Sequence, residues 1–293
     1  MNRATTETRS LLMLHFAVLF FGMAGVIGRG LSIPSFAVTF GRVFFSSITL
    51  FMVIKLTKTP MKLQSRGDLW AYIAAGGIMA LHWTTFIQSV QVASVAVGTI
   101  TFSTFPLFVT FIEPVLFKEK LKVKSIICAL MMLLGVFILV PPDGAGATVD
   151  GILVGMVSAL TYAILSLLNR RFSSRYAGSV VCFYEQFIAT LVLLPFILTA
   201  PPAITVKDVL LLILLGVFCT ALAHSLFVSS LKKVRVQTAG IISGGMESVY
   251  GIILAFLLLG EPPTVREIIG GCIVIAVIVY TTLANSKEQA RSK

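Results

Sequence analysis

The chain has 293 residues, 57% of them hydrophobic and only 12% charged, with a mean hydropathy of +0.98 and a formal net charge of +11. A soluble domain of that composition would expose apolar surface it could not cover, so lipid is the expected solvent and the chain reads as one membrane domain. Its basic residues sit in short loops between apolar runs and not along one helix face, which fits membrane topology and argues against a nucleic-acid partner.

A helix needs about 20 apolar residues to cross the hydrocarbon core. The spacing predicts ten such spans. The first runs from Ser10 to Gly28. It follows Arg3 and Arg9 as a signal peptide would, but nine further runs come after it, so it is read as a span. Spans two to five are predicted at Ser35 to Lys55, Asp68 to Val90, Ser94 to Phe117 and Val123 to Val140. Spans six to ten follow at Gly151 to Asn169, Ser179 to Ala200, Asp208 to Leu231, Thr238 to Gly260 and Val265 to Ala284. Gly22, Gly25 and Gly28 give span one a small face for close helix contact, and Pro106 interrupts the backbone pattern of span four. Cys128, Cys182, Cys219 and Cys272 all lie in apolar runs without metal-binding spacing, and are expected as buried thiols.

All but four of the 23 Lys and Arg residues fall in the N-terminal tail, the even-numbered loops and the C-terminal tail. The exceptions are Arg29, Lys207 and Arg266 in loops of the opposite side, and Arg42 within span two. The positive-inside rule then places both termini in the cytoplasm.

Sliding the chain along itself by 142 residues sets His82 on His224, Gly98 on Gly240, Ile100 on Ile242, Leu116 on Leu258, Glu119 on Glu261 and Val123 on Val265. Matches of Leu or Ile carry little weight in apolar helices; the paired His and paired Glu carry more. The expected fold is therefore an all-α polytopic membrane protein of ten transmembrane helices, built as two five-helix repeats at residues 1–142 and 143–293. An odd number of spans per repeat inverts the second relative to the first, an architecture of secondary transporters with substrate held near the midplane.

Pro106 to Glu119 at the end of span four, and Met246-Glu247-Ser248-Val249 running to Leu258-Leu259-Gly260-Glu261 in span nine, resemble the drug/metabolite transporter superfamily, specifically its EamA-type carriers. Such carriers often show Glu-Pro-Val followed by Leu-Gly-Glu; here Ser248 stands where Pro is usual, and Lys118-Glu119 where Gly-Glu is usual. The resemblance implies a central cavity lined mainly by spans one, three, four, six, eight and nine, with spans two and seven peripheral. It also implies transport of a small metabolite, commonly export across a bacterial inner membrane.

Ionisable residues inside a membrane are candidates for function. Glu247, near the middle of span nine, offers a carboxylate for a substrate ammonium or a coupling proton; the alternative is a structural hydrogen bond to a neighbouring helix. Arg42 and Glu185 hold nearly equivalent places in the two repeats and carry opposite charges, suiting an ion pair or separate contacts with substrate. His82 and His224, at mid-depth in spans three and eight, suit a proton relay or a gate, or a bond to a buried carbonyl. Trp83, Phe86, Phe102, Tyr162 and Tyr250 offer a stacking wall for a planar substrate, or plain packing. Thr101 and Ser243 coincide in the repeat, and Glu113 is expected to snorkel toward the lysine-rich loop after span four.

These residues lead to a secondary transporter moving an amino-acid-like or drug-like metabolite by alternating access, in exporting direction, with coupling to a proton or to substrate exchange. No cofactor or metal is expected. The rival readings are an intramembrane enzyme, for which the chain lacks GxSxG, HExxH and paired-Asp motifs, and a membrane sensor, for which its short loops offer little surface.

Overall fold

Every regular element among the described residues of the computed structural model, namely 3–117, 123–140, 146–173, 175–230 and 242–291, is helical. Seven predicted spans are single helices: α1 (Arg3–Gly30), α2 (Ser35–Leu56), α3 (Arg66–Val92), α6 (Val123–Ile138), α7 (Gly146–Ser173), α8 (Gly178–Thr199) and α12 (Val265–Arg291). Span four is divided into α4 (Val95–Phe102) and α5 (Phe105–Phe117). Span eight runs as α9 (Val206–Gly216), a π-helical turn over Val217–Leu222, and α10 (Ala223–Ser230). The described part of span nine is a π-helical turn, Ile242–Met246, leading into α11 (Glu247–Leu259). Five segments, Leu12–Gly30, Ser35–Leu56, Thr148–Asn169, Gly178–Thr199 and Val206–Phe227, are by themselves long and apolar enough to cross a membrane. Shorter apolar stretches cover Val95–Val109, Ile126–Ile138 and Ser243–Leu259.

Local chemistry sets these boundaries. Ser65 Oγ accepts from the Asp68 amide at 3.1 Å to start α3, and Ser94 Oγ accepts from the Val97 amide at 3.0 Å to start α4. Thr205 with Asp208, and Thr264 with Glu267, form reciprocal capping boxes at the starts of α9 and α12. The division of span four follows from Pro106. Its ring cannot coexist with a helical carbonyl four residues earlier, at Phe102, and that is where α4 stops. Gly260 ends α11 in the left-handed region with φ +66°.

The most extensive helix pairings join one half of the chain to the other: α3 with α7, α2 with α8, α3 with α8, α1 with α11 and α6 with α12. The halves interlock and are not two separate bundles. Glycine permits the closest crossings. A Cβ on Gly22 would lie 2.8 Å from the Gly251 amide nitrogen, so α1 rests directly on the backbone of α11. A Cβ on Gly270 would lie 2.5 Å from the Gly135 carbonyl oxygen, so α6 and α12 cross backbone to backbone. Large apolar side chains such as Leu12, Phe16, Trp70, Phe137 and Leu257 are exposed around the outside, as lipid-facing residues must be. Cys272 belongs with them: Cys128, Cys182 and Cys219 are buried as expected, but Cys272 is exposed, because its position on α12 turns away from the core.

Among the described residues, loop contacts fall into two groups, one on each face. On one, Arg29 Nε donates to Glu261 Oε1 at 2.8 Å, Arg29 Nη1 donates to the Gln91 carbonyl, and Gln91 Nε2 donates to the carbonyls of Gly28, Leu31 and Ile33. Those contacts bring together the loops after spans one, three and nine. On the other face, Tyr176 Oη donates to Asp68 Oδ2 at 2.8 Å and accepts from the Gln64 amide, while Arg175 Nη1 donates to Asp68 Oδ1 at 3.2 Å. These join the loops after spans two and six. Gly240, Glu119 and the lysines Lys118, Lys120 and Lys122 lie outside the described residues, as do the side chains of Glu113 and Pro114.

Candidate functional site

A small, half-open cavity of about 30 Å³, room for about two water molecules, lies where six helical spans and α2 converge. Phe21 and Ala24 of α1, His82, Trp83 and Phe86 of α3, and Phe102 at the end of α4 form part of its wall. Tyr162 of α7, His224 of α10, Glu247 at the start of α11 and Arg42 of α2 complete it.

Arg42 is 2% exposed, and its guanidinium carbon stands 3.9 Å from the centre of the Trp83 ring. Desolvated stacking of this kind contributes about 2 kcal/mol. Arg42 Nε donates to Thr220 Oγ1 at 3.2 Å, and Thr220 Oγ1 donates to the Leu215 carbonyl at 2.8 Å. That last bond spans five residues, so the π-helical turn of span eight is what brings the Thr220 hydroxyl under the guanidinium.

Glu247 is 7% exposed and faces the charge of Arg42 across the cavity. Among the described residues no side chain donates to its carboxylate, and the ion pairs are Arg29 with Glu261 and Arg175 with Asp68. Two opposite charges therefore border one aromatic-walled space, attracted but not in contact.

His82 Nδ1 is 3.0 Å from the Ser158 carbonyl and 2.9 Å from Ser158 Oγ, while Ser158 Oγ is 3.1 Å from the His82 carbonyl. All four groups are satisfied when Nδ1–H donates to Ser158 and the serine hydroxyl donates to the His82 carbonyl. This assignment leaves Nε2 as an acceptor. The His82 ring lies 5.3 Å from Phe102 and 5.0 Å from Tyr162. His224 stands edge-on to Trp83 at 5.2 Å and 4.9 Å from Phe21. Trp83 thus has the repeat-related histidines on either side, and Arg42 over its face.

The profile of the EamA-like transporter family matches residues 8–140 and matches again over 149–283. The chain belongs to the EamA-like transporter family. An uncharacterized transporter of Clostridium kluyveri is 27% identical over 84% of this chain and 82% of its own length. An S-adenosylmethionine uptake transporter of Rickettsia bellii is 24% identical over 90% of this chain and 88% of its own length. A solved crystal structure superposes with a TM-score of 0.69 at 17% identity, covering 96% of this chain and 98% of that one, which shows a shared fold.

In this EamA-like chain the cavity brings together six of the eight candidate residues: Glu247, His82, His224, Trp83, Tyr162 and Arg42. Tyr250 and Glu185 stand apart from it. Tyr250 Oη pairs with His15 Nδ1 at 3.1 Å, and the ring packs beside Leu14 and Val18, one turn beyond Glu247 along α11. Arg42 and Glu185 form no ion pair; the π-helical turn and Trp83 draw Arg42 toward the cavity, while Glu185 is fully buried on α8. The lining matches the spans implied by the resemblance, with one correction: α2 is not peripheral, since it supplies the cavity's cation. Phe21, Ser158 and Thr220 were not singled out by sequence. An aromatic or hydroxyl residue in an apolar helix has no pattern that marks it, and the shift that turns Thr220 inward depends on a local π-helical register.

Proposed function

We propose that this EamA-like transporter is a secondary carrier of small zwitterions that bear a planar group. Glu247 receives the substrate ammonium, Arg42 receives its carboxylate, and the rings of Trp83, Phe86, Phe102 and Tyr162 stack on its planar part. The supporting observation is the pair of opposite charges that face one aromatic-walled space without an ion pair between them. A buried charge without an opposite charge in contact is costly, and a ligand that supplies one to each recovers that cost as affinity. S-Adenosylmethionine, named for the Rickettsia relatives, has an α-amino acid end and a purine, and fits this description.

The space of about 30 Å³ is far too small for such a molecule, so substrate entry requires helices to separate from this contracted packing. In the proposed cycle two inverted repeats, 1–142 and 143–293, exchange between packings open to either side of a bacterial inner membrane, with both termini cytoplasmic. Because the halves interlock, the moving units mix helices from both. The proposed direction is export; the Rickettsia relatives are named for uptake, so both directions need measuring. An enzyme is the less favoured reading, because the Ser158 proton is directed at a main-chain carbonyl and does not activate a nucleophile.

Purified protein in liposomes, loaded on one side with labelled S-adenosylmethionine, tests the proposal. Saturable protein-dependent flux, inhibited by aromatic amino acids and unaffected by dicarboxylates, is the expected result. Flux that ignores zwitterions and responds to anions would exclude it.

A further inference from the structure

A second acidic site lies outside the cavity. Glu185 of α8 is 0% exposed, and its carboxylate meets no donor at full hydrogen-bond geometry, the side-chain amide of Asn169 being the polar group set against it. Asn169 of α7 is beside it, and Asn169 Oδ1 likewise lacks a donor. Gln186 Nε2 and Tyr72 Oη are buried without partners as well. The site is held tight: a Cβ on Gly76 of α3 would lie 3.0 Å from the Glu185 carbonyl and 2.5 Å from Ile188 Cβ. The ionisable groups that face Glu185 are Tyr72 from α3, Tyr162 from α7 and Cys182 on its own helix; from α2 and α10, Arg42 and His224 face the cavity instead. No cation among the described residues balances it.

A carboxylate anion in such a place is desolvated, with the Asn169 side-chain amide beside it and no cation among the described residues to balance it. The neutral acid resolves two deficits at once, because its O–H donates to Asn169 Oδ1 and removes the charge. From this geometry we infer that Glu185 is a proton-binding site, occupied in this contracted packing and emptied when α3, α7 and α8 separate enough to admit water. Tyr162 connects the two acidic sites: it lines the cavity and feels both Glu247 and Glu185. The proton would then be carried on Glu185 while Glu247 remains for substrate, and the relative direction of the two is read from flux against a pH gradient. Coupling in this sense rests on the carrier reading above; the protonation of Glu185 does not.

Two measurements test it. Infrared spectra of the purified full chain in vesicles should show a protonated-carboxyl stretch at neutral pH that shifts in deuterium oxide. That band should vanish in Glu185→Gln, persist in Glu247→Gln, and move in Asn169→Leu, where the acceptor is lost. The second measurement compares S-adenosylmethionine accumulation driven by a pH gradient with its gradient-free exchange. The ratio of the two should fall at least about tenfold in Glu185→Gln. A spectrum with no band assignable to Glu185, or an unchanged ratio, overturns the proposal. If wild-type protein carries no S-adenosylmethionine, the substrate reading fails and the infrared result still decides Glu185.

Discussion

Replacing Glu247 by Gln removes a charge and preserves the shape of the side chain, so it isolates what the carboxylate contributes to holding a cationic group. Glu247 is 7% exposed and receives no hydrogen bond from a described residue, so its contact with a substrate ammonium replaces nothing already made. Truncating one partner of a buried, hydrogen-bonded charge pair costs about 2–5 kcal/mol. Arg42, attracted to Glu247 across the cavity, offsets part of that in the empty protein and holds the expectation to about 2–3 kcal/mol. The Michaelis constant for S-adenosylmethionine in liposomes should then rise about 30- to 150-fold. An analogue without the α-ammonium should lose far less. A change under about threefold for the parent compound, or an equal loss for both compounds, would refute the assignment of Glu247 to the ammonium.

Other positions are as open to test. Arg42→Lys keeps the charge but loses the flat guanidinium 3.9 Å over Trp83 and the directed bond to Thr220, so the Michaelis constant should rise about tenfold with the fold intact by thermal unfolding. Gly270→Ala drives a methyl to 2.5 Å from a main-chain oxygen of α6, which cannot yield as a side chain would; a loss of about 1–3 kcal/mol should lower the unfolding temperature in detergent by several degrees. Gly77→Ala meets nothing within 4 Å and should leave that temperature unchanged or slightly higher. Equal shifts for the two alanines would contradict the backbone crossing of α6 and α12.

Much of the site was legible in the chain because charge inside a membrane is rare enough to be informative. Glu247, Arg42 and the paired histidines stood out on that ground, and all four border the cavity. Rarity alone does not say what each of them does. Glu185 meets the same criterion, yet it lies away from the cavity in a buried contact between α3, α7 and α8. Depth in the bilayer is readable from position along a span, but the face of the helix that a residue occupies depends on its neighbours. Tyr250 shows this on a smaller scale: it is three residues from Glu247, close to one helical turn, and still pairs with His15 instead of joining the wall.

The sequence by itself determined the solvent, the number of spans and the alternation of their loops, because hydrophobic length and loop charge act locally and need no knowledge of packing. It also determined where span four breaks, since a proline forbids the carbonyl four residues before it wherever the helix lies. Only the tertiary structure decided that the halves interlock, that a π-helical turn seats Thr220 beneath Arg42, and that one buried acid faces a cavity while another faces none. Those outcomes depend on rotations of each helix about its own axis. In a chain whose spans are apolar on nearly every side, such rotations are set by contact with other helices and leave little trace in the pattern of residues.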